Sequence, residues 1–217
     1  MVAKLLAPGE KTRARAGRSQ VILDSATELF AERGFAGVSI QDIADLAKTH
    51  KTTVLYHFHT KEALYETVLD GALGRMADVM QDFLAGRFED DQLRVRVSYL
   101  LDQIHAHFAE HRAHARLLER ELLEPQVPNA YLDQFVERIY APAVKGLERA
   151  AASGFIRPVD PALFIHDLHV QLVGYFCHRS LLERLKEGDP YSIDALIARR
   201  NHLVELIFSL LRPAEAA

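Results

Sequence analysis

Only one cysteine, Cys177, occurs in the 217 residues, so no disulfide can close within the chain. A reducing compartment, the cytoplasm, is the expected setting. No uninterrupted apolar run reaches the ~20 residues that a membrane-spanning helix requires, and the opening MVAKLLAPGEKTRARAGR has no apolar centre of the kind a secretory signal carries. No membrane partner is expected. The sequence also lacks a Gly-rich phosphate loop, a nucleophile elbow and a zinc-protease helix motif, and Cys177 falls inside an apolar helical stretch that favours an inert thiol. These absences argue against an enzyme, and no cofactor is expected. No segment alternates apolar and polar residues over strand length with hairpin punctuation, and no internal repeat or low-complexity tract is evident.

What the sequence has is helical periodicity and, at 49% apolar residues, enough material for a sizeable core. A first helix near residues 19–33 puts Ile22, Ala26, Leu29 and Phe30 on one stripe, with Gly34 as its left-handed stop. Ser39 stands three residues before Asp42, the spacing of a reciprocal N-terminal cap, so a short second helix begins near Ile40. Thr60 caps a long helix running to about residue 85. Further helices are expected at 91–110, 112–123, 129–152, from Asp160-Pro161 to about Glu187, and at 192–211. The expectation is an all-α fold of about nine helices. It comprises a flexible basic arm (1–18), a three-helix head (19–64) and a larger helical bundle (65–217). Each head helix is too short to be stable alone, so the three must pack together.

The net charge of −4 conceals an asymmetry. Residues 1–64 hold nine Lys or Arg against seven Asp or Glu, whereas the remainder holds 17 against 23. That imbalance suits an N-terminal portion that meets a polyanion. Within it, IQDIADLAKTHKTTVLYHF at 40–58 reads as a helix-turn-helix. Ile40, Ile43 and Ala44 face inward from its first helix, small Ala47 marks the crossing, and Val54, Leu55 and Phe58 face inward from its second. Lys51, Thr52, Thr53, Tyr56 and His57 are left facing out. A recognition helix enters the major groove by its N-terminal end, which makes His50, Lys51, Thr52 and Thr53 candidates for base edges. Tyr56, His57, Lys61, Lys48 and the Ser39 hydroxyl are candidates for phosphates. An ordinary polar surface helix would account for Lys51 and Lys61, but not for Tyr56 and His57 beside them.

The order Gly34-Phe35, Ser39-Ile40, Ile43-Ala44, Ala47, Val54-Leu55-Tyr56-His57-Phe58 and Lys61-Glu62-Ala63-Leu64 resembles the DNA-binding head of the TetR family of transcriptional regulators. The resemblance covers about residues 19–66. Beyond it only the layout of helices is similar. Lys51–Tyr56 followed by Phe58 and Lys61–Tyr65, together with Pro158-Val159-Asp160-Pro161, is also similar to the family's pyrimidine-responsive repressor subgroup. The chain departs from the family at the turn, where Lys48-Thr49-His50 replaces the usual Gly-Val-Ser, and this leaves the base preference untransferable.

The resemblance implies a repressor released from an inverted-repeat operator by a small molecule bound inside the helical body. Met76, Met80, Phe83, Phe108, Leu117, Tyr140, His169, Tyr175 and Phe176 are the candidate ligand contacts, each of which could equally be plain core. Two heads must be fixed relative to one another to read one site, so a homodimer is expected. Its interface would use the apolar stripe of the last helix with Leu181, Leu182 and Leu185, although that stripe could instead be intramolecular core. The histidine pairs 107/111, 111/114 and 166/169 have spacings at which two imidazoles can share a metal, but no carboxylate or thiolate company is evident, and no metal is expected. The alternative function is a helical adaptor that binds protein rather than DNA. It would have no need of Lys51, Tyr56, His57 and Lys61 together.

Overall fold

The computed structural model describes residues 8–85, 92–126, 130–185 and 188–211; for 8–16, 130 and 131 it describes the backbone alone. The described residues form helices and no strands. The head consists of α1 (Pro8–Arg33), α2 (Ile40–Leu46) and α3 (Lys51–Phe58). The body contains α4 (Lys61–Ala85), α5 (Leu93–Glu110), α6 (Arg112–Leu123), α7 (Ala130–Phe135) and α8 (Ala141–Ala152), followed by α9 (Pro161–Cys177), α10 (Arg179–Leu185) and α11 (Ile193–Leu211).

Local chemistry fixes most of the boundaries. The Ser39 Oγ accepts from the Asp42 amide at 3.1 Å, while the Asp42 carboxylate accepts from the Ser39 amide at 2.7 Å, which starts α2. The Thr60 hydroxyl accepts from the Ala63 amide at 3.0 Å ahead of α4, and the Asp160 carboxylate accepts from the Leu163 amide at 3.0 Å ahead of α9. Gly34 ends α1 at φ +73°, in the left-handed region. Gly37 answers a tighter constraint, since a Cβ there would lie 2.5 Å from the Arg33 carbonyl oxygen.

Three boundaries differ from expectation. Residues 8–18, expected as part of a flexible arm, continue α1, because Pro8 suits a first helical position and the Lys, Arg and Ala that follow are strong helix formers. Residues 1–7 of that arm lie outside the described residues. The expected helix 129–152 is interrupted by a π-helical turn at Val136–Tyr140, directly before Pro142. Proline has no amide hydrogen and its ring crowds the carbonyl four residues back, so the backbone widens to receive it. The expected helix from 161 to about Glu187 breaks at His178. The Tyr191 hydroxyl takes the Phe176 carbonyl at 2.9 Å, and the Tyr191 ring stacks on Phe176 at 5.5 Å, so that carbonyl is not free to propagate the helix.

Two apolar clusters form the core. One runs without a break from the head (Ile22, Phe30, Ile43, Val54) through Leu64 and Tyr65 to Phe108, Leu117 and Leu118 in the body. The other joins α5, α8, α9 and α11 through Leu101, Ile156, Phe164, Leu203 and Ile207. The head is therefore seated on the body through shared core. Most of the α11 stripe expected at a dimer interface is intramolecular: Leu203, Val204, Ile207 and Leu211 are buried within the chain. The Arg200 guanidinium holds Asp102 at 2.8 Å and Arg94 pairs with Glu205, which fixes α11 on α5.

His105 is buried against Phe176, and neither of its ring nitrogens has a hydrogen-bond partner among the described residues. Burial, with Arg199 nearby, pushes its pKa down to about 4. Burial does the same to His107 and His114, each lowered to about 4 with neighbouring histidines adding to the effect. All three fold as neutral imidazoles. Below pH ~6.5 the unfolded chain therefore binds protons that the folded chain refuses, and stability falls as pH drops from about 6.5 towards 4. The melting temperature is expected to decline over that window and to level off above pH 7. Thermal melts of His105→Phe should show a shallower decline and, at pH 7.5, a melting temperature a few degrees above the parent, since an unpartnered buried polar group is removed. An unchanged slope would contradict the assignment.

Candidate nucleic-acid interface and internal cavity

Helix α3 owes its orientation to Val54, which is fully buried against Ile43 and Ala44, with Leu55 and Phe58 half-buried beside it. That anchoring leaves Lys51, Thr52 and Tyr56 exposed, Tyr56 by 63%, while Thr53 and His57 are half-buried. The turn before it is closed by backbone bonds from the Ala47 amide to the Ile43 carbonyl at 2.9 Å and from the Thr49 amide to the Ala44 carbonyl at 2.9 Å. Lys48 occupies the left-handed region at φ +51°, a conformation that glycine adopts without penalty and that costs a side-chain residue about 1 kcal/mol. Its ammonium is thereby carried out into solvent. His50 holds the N-cap position without a capping side-chain bond, so its imidazole is not committed to the helix it precedes.

Two of the expected phosphate contacts are partly engaged within the head. The Ser39 hydroxyl donates to the Asp42 carboxylate at 2.5 Å, and the same bonds hold Asp42 below the usual carboxylate range. The Lys61 ammonium lies 4.1 Å from the centre of the Phe35 ring. A basic residue that the sequence reading did not select joins the group. Arg18, on the extended part of α1, lines one cleft with Val21, Ala47, Lys48, His50 and Thr53. The signal for it was the run of basic residues at 11–18, which reads as a tail unless the helix is known to start earlier.

The body encloses a cavity of about 150 Å³ between α4, α5, α8, α9, α11 and the π turn. Of the nine candidate ligand contacts, Met76, Met80, Phe83, Tyr140 and His169 line it. The other four do not. Phe108, Leu117 and Phe176 are core residues, and Tyr175 donates its hydroxyl to the Pro190 carbonyl at 2.8 Å with Arg199 over its ring. Helical spacing selects an apolar face but cannot tell which layer of that face leaves space. His169 approaches Glu119 of α6 at 3.5 Å, and burial pushes its pKa down while Glu119 pulls it back. Burial raises the Tyr140 phenol to about 12, which keeps it protonated.

The histidine pairs separate into two cases. His107, His111 and His114 do cluster, with His107 Nε2 and His114 Nδ1 3.0 Å apart and His111 stacked on His114 at 4.9 Å. The two facing nitrogens share a hydrogen bond, and no group of three ligating side chains among the described residues has a metal-holding arrangement. His166 is exposed beside Asp167, whereas His169 is mostly buried beside Glu119. Cys177 ends α9, half-buried, with its thiol pushed up to about 11 by burial. No helix of the described residues is long and apolar enough to cross a membrane.

Head and body meet at Tyr65. Its ring packs edge-on against Phe30 at 4.9 Å and against Phe35 at 5.0 Å in the head, and its hydroxyl donates to buried Glu121 of α6 at 2.7 Å. Glu121 also accepts from the Gln126 amide at 3.0 Å, and neighbouring Arg120 reaches the Glu32 carbonyl at the end of α1.

An all-helical chain with a helix-turn-helix head set on a body that contains an apolar cavity is the class this architecture defines. Residues 22–68 match the family described as bacterial regulatory proteins, tetR family. That match spans the head and the start of α4 and leaves the rest of the body outside it. It is similar to the HTH-type transcriptional regulator RutR of Escherichia coli K12, at 36% identity over 96 residues, or 42% of this chain and 45% of that protein. The HTH-type transcriptional repressor KstR2 of Rhodococcus jostii is 33% identical over 78 residues, 36% of this chain and 38% of that one. The chain thus spans less than half the length of either relative. Among solved structures, HlyIIR, a hemolysin II transcriptional regulator, superposes with a TM-score of 0.66 at 21% identity over 92% of this chain and 99% of that one. A Clostridium perfringens protein proposed to regulate fatty acid metabolism gives 0.71 at 20% identity over 89% and 100%. At those identities the structures share the fold.

Tyr65→Phe leaves the ring packing and removes the hydroxyl from a buried carboxylate, which costs about 1–3 kcal/mol. Calorimetry should register a melting temperature lower by roughly 3–10 °C at neutral pH. A variant as stable as the parent would mean that the Tyr65–Glu121 bond contributes nothing to the junction.

Proposed function

We propose that this protein is a homodimeric cytoplasmic transcriptional repressor whose heads bind an inverted-repeat operator and release it when a small molecule fills the body cavity. The observation that carries the reading is the orientation of α3. Val54 is sealed into the head while Lys51, Thr52 and Tyr56 stand in solvent, flanked by Arg18, Lys48 and His50. Lys51, Thr52 and Thr53 at the start of α3 reach base edges, with His50 beside them, while Tyr56, His57, Arg18 and Lys48 meet phosphates on either side. The match of residues 22–68 to the tetR family model supports the same reading, as do the regulators and repressors the head resembles.

Dimerisation is supported by apolar side chains left in solvent on α10 and the start of α11. Leu181 and Leu185 on α10 and Ile193 and Ile197 on α11 are exposed, by 54%, 70%, 71% and 39%. A stripe of that kind marks an interaction surface. Reading one operator then requires that the pair hold its two α3 helices about one DNA turn, roughly 34–36 Å, apart or somewhat more.

The test is a retention assay on DNA from the promoter region upstream of the protein's own gene. Lys51→Ala combined with Tyr56→Ala is expected to weaken retention by about tenfold or more, with a melting temperature within about 1 °C of the parent because both side chains are exposed. Unchanged retention would favour the helical adaptor.

A further inference from the structure

The geometry points to a compact, uncharged aromatic molecule carrying one hydroxyl group, a phenol-like compound, as the occupant of the body cavity. This inference rests on the reading of that cavity as an effector site. Size is the first constraint. A cavity of about 150 Å³ matches the volume at which an apolar protein cavity accepts benzene, about 150 Å³, so it suits one ring and not a long acyl chain.

Lining chemistry is the second constraint. Among the side chains that face the cavity only Tyr140 and His169 carry a nitrogen or oxygen. They stand together with Phe135 as a wall of three rings, with centroids 5.2 Å apart for Phe135 and Tyr140, 5.5 Å for Phe135 and His169, and 6.0 Å for Tyr140 and His169. Edge-to-face and offset contacts with such a wall favour an aromatic guest. The π turn that precedes Pro142 ends at Tyr140 and carries Ile139 and Tyr140 into the lining. A π turn is an uncommon element that recurs at functional sites.

Charge is the third constraint. Among the described residues neither Lys nor Arg lines the cavity, and the Glu119 carboxylate lies 3.5 Å from His169, so a carboxylate guest would meet a negative group there. A pyrimidine base is also a poor match. It bears polar groups around its whole ring, whereas the site offers hydrogen bonds at one end only, and the remainder would be buried unpaired. One hydroxyl set between the Tyr140 phenol and the His169 imidazole, with a hydrocarbon ring in the apolar remainder, satisfies both ends of the cavity.

The experiment titrates p-cresol, toluene, octanoate and uracil separately into the full-length protein and follows thermal melting, with promoter-DNA retention measured alongside. p-Cresol at millimolar concentration is expected to raise the melting temperature by several degrees, with octanoate and uracil producing no shift. Tyr140→Phe should weaken p-cresol about tenfold and leave toluene binding unchanged, so that toluene also reports an intact cavity in the variant. The inference is overturned if octanoate or uracil stabilises at lower concentration than p-cresol, if no compound stabilises, or if Tyr140→Phe leaves p-cresol affinity intact. Retained DNA without a p-cresol shift rejects the occupant and spares the regulator reading. A p-cresol shift in a protein that never retains DNA rejects that reading and supports the occupant.

Discussion

The contact on which the rest of the architecture depends is the one Tyr65 makes in two directions. A three-helix head of this size has too little interior to be stable alone, and its core is completed by the body: the Tyr65 ring closes against Phe30 and Phe35 while its hydroxyl ends on Glu121. A buried carboxylate is costly unless its lone pairs are used, and Glu121 spends them on the Tyr65 hydroxyl and the Gln126 amide. The polar pair therefore fixes the register of α6 against α4 more sharply than apolar packing could. An apolar pair at the same place could slide by a fraction of an ångström without penalty.

The body solves a different problem. A bundle filled throughout would be more stable, yet this one keeps a cavity of about 150 Å³. Two local departures from helical regularity occur in it. Pro142 widens the preceding turn, and Tyr191 takes the Phe176 carbonyl and ends α9. The His169–Glu119 approach holds a polar edge beside an otherwise hydrocarbon wall. At the end of α9 the ladder bond given up by the Phe176 carbonyl is replaced by the Tyr191 hydroxyl.

How much of this could be read in advance follows from the range of the interactions involved. Ser39 with Asp42, Thr60 with Ala63 and Asp160-Pro161 act within four residues, and the helix starts they set are legible in the sequence. So is the split of α3 into Val54 inside and Tyr56 outside, because one helical period carries it. Tyr191 acting on Phe176 and Glu121 acting on Tyr65 join residues 15 and 56 positions apart, and nothing local announces them. Pro142 was visible, yet a proline inside an apolar helical pattern can end, kink or widen a helix, and packing decides among these. Among the aromatic candidates for the cavity, Phe83 and Tyr140 line it and Phe108, Tyr175 and Phe176 do not, for a related reason. Phe108 and Tyr140 both fall in helical stretches, and the difference lies in which layer of the bundle each reaches.

Helix α6 joins the two problems. Three consecutive residues point to three destinations: Glu119 to His169 at the cavity, Arg120 to the Glu32 carbonyl at the end of α1, and Glu121 to Tyr65 in the head core. Successive side chains on a helix diverge by about 100°, so a rigid shift of α6 cannot relieve one of these contacts without loading the others. A coupling of about 1–3 kcal/mol is enough to change DNA occupancy markedly, and a single charge-assisted hydrogen bond is worth about 1.5–3 kcal/mol. A guest that displaced His169 from Glu119 would therefore act on a helix whose next two residues hold the head. The energy required is no more than one of those contacts supplies, and no long relay through the core is needed.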